Sequence, residues 1–359
     1  MNAINLAPTH PDFPHPALLH AICATASRWT SRGRADIGNI FGAQSPTNRP
    51  IRDKFAEFHA NKTRQYVNQT MSHGESIFQV WQACIILSWW FYCEGRWVEV
   101  WIQAGFQTRA AIPLGLNYLG MVKRGPDGNV VRNAYLEPPK GLRELEARKR
   151  AWWMALMFDR IVSVGGWLHS VDERDIGTEL PLRALEYELE VFVSFSRLRS
   201  YRTLRSLQLE VPPNPQTLHT PAVFIRHPIA YTDSYILFLK SVMLFGRVTD
   251  YTVRMGIRSP LVNYGRYEPV SSPGMTGITP PTSAMGLGSP PLVQAHGSPM
   301  HTQEDPRNAP GFKSLDHLVS TEFVGSFPVM YRNCLGVGMA ADGTNLDTDL
   351  YLAHLVPHA

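Results

Sequence analysis

Cysteine is scarce in this chain of 359 residues, with only Cys23, Cys84, Cys93 and Cys334. No two of them form a C-x-x-C pair, which argues against a zinc ribbon, a redox dithiol or a disulfide scaffold. They are read instead as buried free thiols of a reducing compartment. Charged residues make up only 18% of the chain against 44% hydrophobic, a balance that suits a largely buried body. A formal charge of +4 over this length gives little steering towards nucleic acid or anionic lipid. Long apolar runs are also missing. The strongest, residues 83–93, falls well short of the ~20 residues that a membrane helix needs. Residues 1–13 carry no basic patch followed by an apolar segment, so no signal peptide is expected. The chain is read as soluble and intracellular with no membrane partner, and the sequons at Asn61 and Asn68 as chance matches.

Catalytic signatures are equally sparse. No histidine pair has the H-E-x-x-H spacing, and no serine sits in a G-x-S-x-G elbow. Asp342, Asp347 and Asp349 lack the spacing of a calcium loop. Gly336-Val-Gly338-Met-Ala-Ala341 spells a dinucleotide fingerprint. Only 18 residues follow it, too few for the strand, helix and second strand that such a site requires. No catalytic, cofactor-binding or metal-ligating residue is therefore assigned, and no enzyme activity is expected.

Aromatic residues are what the chain does have. All nine tryptophans lie between Trp29 and Trp167, and each contributes about 1.5–3 kcal/mol when buried. The core is accordingly expected in the first half. Pro16 opens a helix in which Leu18, Ala21, Ile22, Thr25 and Trp29 recur at three and four residue steps and should face that core. Ile51, Phe55, Phe58 and Tyr66 mark a second, half-exposed amphipathic helix. Residues 76–93 are apolar on nearly every side, which predicts a central helix. Trp97, Trp101, Ala104, Thr108 and Ala111 give the next one an inward stripe, and Pro113 and Gly115 end it. After a loop over residues 123–140, residues 141–163 read as a helix entered through a charged turn at 143–150. Further helices are expected within 182–209, 231–248, 312–334 and 346–356. Residues 259–311, rich in proline, glycine and serine, have the composition of a disordered segment.

Two charged groups stand out. Asp159 shares a helix face with Trp152, Ala155 and Leu156, so it must be buried and paired. With no histidine or second carboxylate at helical spacing, structural pairing to a cation or helix end is favoured over a general acid or base. Arg197, Arg199, Arg202 and Arg205 form a basic cluster that is read as a solvated face and not as a nucleic-acid contact.

Three runs carry a family resemblance. The first is His15-Pro-Ala-Leu-Leu-His-Ala-Ile-Cys-Ala24. The second is Gln82-Ala-Cys-Ile-Ile-Leu-Ser88, continued by Gly95, Arg96, Trp101, Arg109, Ala110, Leu114, Gly115 and Leu116. The third is Glu146-Ala-Arg-Lys-Arg-Ala-Trp-Trp153 through Asp159 and Arg160 to Asp175, Ile176, Leu180 and Pro181. Together they resemble the fungal-specific transcription factor domain, the middle regulatory region of binuclear zinc cluster factors, also called the xylanolytic activator regulatory domain. The signature positions are Arg109, Gly115, Arg148, Arg150, Trp152, Trp153, Asp159, Arg160, Asp175 and Pro181.

The resemblance implies an all-α fold, an irregular multi-helix bundle with a disordered Pro/Gly/Ser-rich segment. It divides the chain into a disordered segment 1–14, a helical regulatory domain 15–258, a disordered linker 259–311 and a C-terminal helical part 312–359 that looks truncated. It further implies nuclear localisation and control of RNA polymerase II transcription. Partners would be other transcription proteins, a second copy of the chain, or a small-molecule effector. Zinc and DNA belong to a six-cysteine module that four dispersed cysteines do not supply, so no cofactor is expected in this chain. The alternatives are a stand-alone interaction or scaffold protein and a helical small-molecule receptor.

Overall fold

A computed structural model of the chain describes residues 3–10, 13–30, 53–74, 76–119, 134–163, 167–187, 214–258, 307, 310–332 and 348–356. Among these the fold is all-α, without a strand. The arginine cluster at 197–205, the Gly336 motif, Cys334, Gly165 and Gly166, and nearly all of 259–311 lie outside the described residues.

Helix α1, Pro16–Ala26, begins at the expected proline, with His15 Nδ1 accepting from the Ala17 amide. Helix α2, Lys54–His73, is capped by the Asp53 carboxylate, which accepts from Phe55 N and Ala56 N and satisfies two of the amides a helix start leaves free. It stops at Gly74, whose φ of 76° an L side chain rarely adopts. Helix α3, Ile77–Cys93, is the central helix, packed against α1 and α2. Helix α4, Trp97–Ala111, ends just before Pro113, and Gly115 turns the chain at φ 74° into a 3-10 turn, Leu116–Tyr118. Helix α5, Leu142–Ile161, packs on α3, α4 and α6, Ser234–Arg258. Helix α7, Pro310–His317, runs into a π-helical stretch, Leu318–Phe323, and α8, Thr348–Leu355, lies on α6. The N-terminal segment expected to lack order contains a 3-10 turn, Ala3–Asn5.

The expected inward stripes hold for their small members and fail for several large ones. In α1 the buried positions are Ala17, Ala21 and Ala24, while Ile22 is exposed, as is Trp29 in the 3-10 turn, Ser27–Trp29, that follows. In α2, Ala56, Ala60, Thr63 and Val67 go inward and Phe55 and Phe58 face out. In α4, Val100, Ala104, Gln107, Thr108 and Ala111 are buried, but Trp97 and Trp101 are 55% and 36% exposed. Small side chains on the inner faces let the helix axes approach closely, which leaves the bulkier neighbours of the stripe at its outer edge. The core is also wider than the tryptophan count suggests. It includes Ile236, Leu239 and Val242 of α6 and Phe323, Phe327 and Leu350 from the C-terminal part. Of the thiols, Cys84 is buried as expected, whereas Cys23 and Cys93 are half-buried.

Candidate functional site

Helix α5 and the strap that follows it, residues 167–182, organise the centre of the molecule. The two run antiparallel, because the strap's first residues bond the C-terminal end of α5 and its last residues bond the N-terminal half. At the C-terminal end, Asp159 accepts from Arg160 Nη1 at 2.7 Å and from Ser170 N at 2.9 Å, while Arg160 Nη2 donates to Val171 O at 2.7 Å. Both side chains are buried, which fulfils the expectation for Asp159. Burial pushes the Asp159 carboxyl above its ordinary range, and Arg160 and the Ser170 amide pull it back. The stem of Arg160 lies on α6 at Gly246, where an added Cβ would come within 2.5 Å of Cδ.

The charged turn that opens α5 is largely buried. Lys149 and Glu146 have no exposed side-chain surface, and Lys149 Nζ lies 3.1 Å from Glu146 and 2.9 Å from Glu179 of the strap. The other Glu146 oxygen accepts from Leu182 N at 2.9 Å. Arg148 bonds Glu144 and the Glu137 carbonyl. Arg150 donates to Leu182 O and stacks at 4.6 Å on Tyr187 and 5.2 Å on Tyr235. The paired indoles differ. Trp153 Nε1 donates to Glu179 O at 2.9 Å, whereas Trp152 Nε1, equally buried, finds no acceptor among the described residues. Midway along the strap, Gly177 N and Thr178 N both donate to Asn117 O just after α4.

Between the strap and α6 lies a cleft of about 470 Å³ whose lining includes Arg160, His169, Asp172, Glu173, Arg247 and Asp250. Arg247 of α6 reaches across to a bidentate pairing with Glu173, its guanidinium 4.3 Å above Phe224. His169 Nε2 is 3.7 Å from Asp250. Both charge signs line the cleft, so it suits a charged or zwitterionic small molecule able to exchange with these pairs.

Most signature positions converge on this assembly. Arg148, Arg150, Trp152, Trp153, Asp159 and Arg160 lie along α5. Asp175 is itself exposed, but its carbonyl accepts from Asn117 Nδ2, and the buried Pro181 presents its carbonyl to Asn214. Gly115 turns the chain where an added Cβ would meet Ala134. Arg109 stands apart, exposed in the last turn of α4.

Residues 8–200 match the fungal specific transcription factor domain, more than half of the 359. The chain belongs to that family. A stretch of 107 residues is 32% identical to a Candida glabrata protein named as a negative regulator of pleiotropic drug resistance, STB5. That stretch covers 30% of this chain and 10% of the relative, so the chain spans about a tenth of the length of the relative it matches. No solved structure matches the chain.

The zinc that the family implies does not fit the described residues: Cys84 is buried with its thiol pushed up to about 12, and no three His, Cys, Asp or Glu side chains come together. Among the described residues no helix is long and apolar enough to cross a membrane. Sequence reasoning missed Glu146, Lys149 and Glu179 as a buried ionic group, although the i,i+3 spacing of Glu146 and Lys149 was a usable signal. The Arg247 to Glu173 pairing spans 74 residues and left no local signal.

Proposed function

We propose that this chain is the regulatory domain of a zinc cluster type transcription factor that acts in the nucleus on RNA polymerase II transcription. DNA contact and zinc are assigned to a six-cysteine module that the four cysteines of this chain do not supply. The observation that carries the reading is the family match over residues 8–200, most of whose signature positions meet along α5 and its strap. In this mechanism an effector or partner favours one arrangement of the strap over another. It can do so only through different affinity for the two. The Arg247 to Glu173 bridge is the switchable contact, since it joins strap to α6 at the surface.

The test is a reporter assay with the chain fused to a foreign DNA-binding module. Arg247→Ala should change output while the melting temperature stays within a few degrees, because a half-exposed ion pair contributes about 1 kcal/mol or less. Unchanged output both for that variant and on removal of residues 147–181 would end the regulatory reading.

A stand-alone interaction protein is the second reading, favoured by the exposed aromatic line on α3 and α4. Trp89 stacks on Tyr92, Tyr92 meets Trp97 edge-on, and Trp101 packs on Trp167. Five of the nine tryptophans are exposed, which is many for a surface with no partner. A reporter silent in every condition, together with stable capture of a defined transcription protein that Trp97→Ala abolishes, would favour this reading.

A further inference from the structure

A second cavity, of about 250 Å³, lies between α3 and α4 and is separate from the charged cleft on α6. Trp81 and Cys84 of α3 are deeply buried in its wall, Phe106 and Ala110 of α4 form the facing side, Leu114 closes one end, and Tyr135 stands at the mouth. No charged side chain lines it. The Trp81 indole N–H is already used by Gln107 O at 2.7 Å, so the ring presents only its apolar surface. Burial keeps the Cys84 thiol protonated, and it acts as a soft apolar wall.

Tyr135 is placed as a gatepost. Its amide donates to Pro113 O at 2.8 Å, and its hydroxyl occupies the space left by the missing side chain of Gly74, 2.5 Å from where a Cβ would lie. It is 67% exposed and carries the only hydroxyl among the lining residues.

Size and chemistry restrict the occupant. An apolar cavity of about 150 Å³ stays dry and accepts benzene, so this one has room for a second fused ring. An ion would lose its hydration with nothing here to replace it. Trp81 and Phe106 offer ring surfaces to which a flat aromatic adds in offset or edge-on contact. We propose that this cavity binds an uncharged planar aromatic molecule of one or two fused rings, with a hydrogen-bonding group directed at Tyr135.

A ligand there bears on Leu114, two residues before the turn whose Leu116 and Asn117 hold the strap through Thr178 and Gly177. Its role as an effector rests on the regulatory reading above, whereas its binding does not.

The experiment uses the full chain with naphthalene and 2-naphthol as probes and 2-naphthalenesulfonate as the charged control, followed by calorimetry and tryptophan emission. The neutral probes should bind and the sulfonate should bind at least tenfold more weakly. Ala110→Phe, which fills the space, should weaken both neutral probes at least tenfold. The milder Ala110→Leu should weaken them several-fold if the larger change impairs folding. Tyr135→Phe should weaken 2-naphthol several-fold and leave naphthalene unchanged. Equal binding of the sulfonate, or neutral binding indifferent to both Ala110 variants, would overturn the proposal. Binding as described with a reporter that never responds to 2-naphthol would leave the site standing and remove its effector role.

Discussion

Helices α4 and α5 are both rich in tryptophan, yet they use it in opposite ways. In α4 the indoles of Trp97 and Trp101 face outward and Ala104, Thr108 and Ala111 face the core; in α5 Trp152 and Trp153 are fully buried, and so are Glu146 and Lys149. The difference lies in the neighbours. Helix α5 is enclosed by α3, α4, α6 and the strap, while α4 packs against α3 and α5 and meets the strap near Trp167 and Ser170. Burial is thus decided by how many elements surround a helix, and residue type follows only where there is a choice.

Truncating the indoles should give the largest contrast. Trp153→Ala should lower unfolding free energy by about 3–5 kcal/mol, enough to unfold a marginal domain, whereas Trp97→Ala should cost about 1 kcal/mol. Urea titration of both variants measures it, and equal losses would abolish the contrast.

The buried charges come next. Lys149→Met leaves Glu146 without its cation and should cost about 3–5 kcal/mol. Adding Glu146→Gln should restore most of that loss, because the neutral amide still accepts from Leu182 N. No recovery in the double variant would show that Glu179 is the partner that matters. A finer comparison separates the two indoles of α5: Trp153→Phe should cost ~1 kcal/mol more than Trp152→Phe, since only Trp153 loses a hydrogen bond.

A pH-dependent contrast comes from α6, whose buried Lys240 has neutral acceptors instead of a carboxylate: Gln216 Oε1, Arg226 O and His227 Nδ1 at 3.1–3.3 Å. Burial lowers Lys240 from 10.5 to about 7, and burial with the nearby Lys240 charge lowers His227 from 6.5 to about 3. In both, the unfolded chain binds more protons than the folded one between the two values. Stability should therefore rise with pH, through His227 between about 3 and 6.5 and through Lys240 between about 7 and 10.5. Melting curves on Lys240→Met should lose the alkaline part of that rise.

Much of the fold was legible in the sequence through its punctuation. Pro16, Pro113 and Gly115 mark helix ends because each acts on the local backbone. Asp159 was legible as a paired buried charge, since its helix face had no other solution. The faces of α1, α2 and α4 were legible only in part. A three-and-four pattern of large residues identifies a helix but does not say which side meets a neighbour, and here alanines such as Ala21, Ala60 and Ala104 make the contact. The strap's bonds to α5 join residues 11 to 36 positions apart, and the cleft adds α6 from further still. No local pattern encodes such distances.

Gly246 carries a consequence beyond its own position. With a single hydrogen there, the aliphatic stem of Arg160 rests on the backbone of α6, and the guanidinium is held level with Asp159 and the Val171 carbonyl. A methyl group in its place would act as a wedge, prising two helices apart at the point where the strap is fastened. A residue without a side chain beyond hydrogen thereby sets the spacing on which the charged cleft depends.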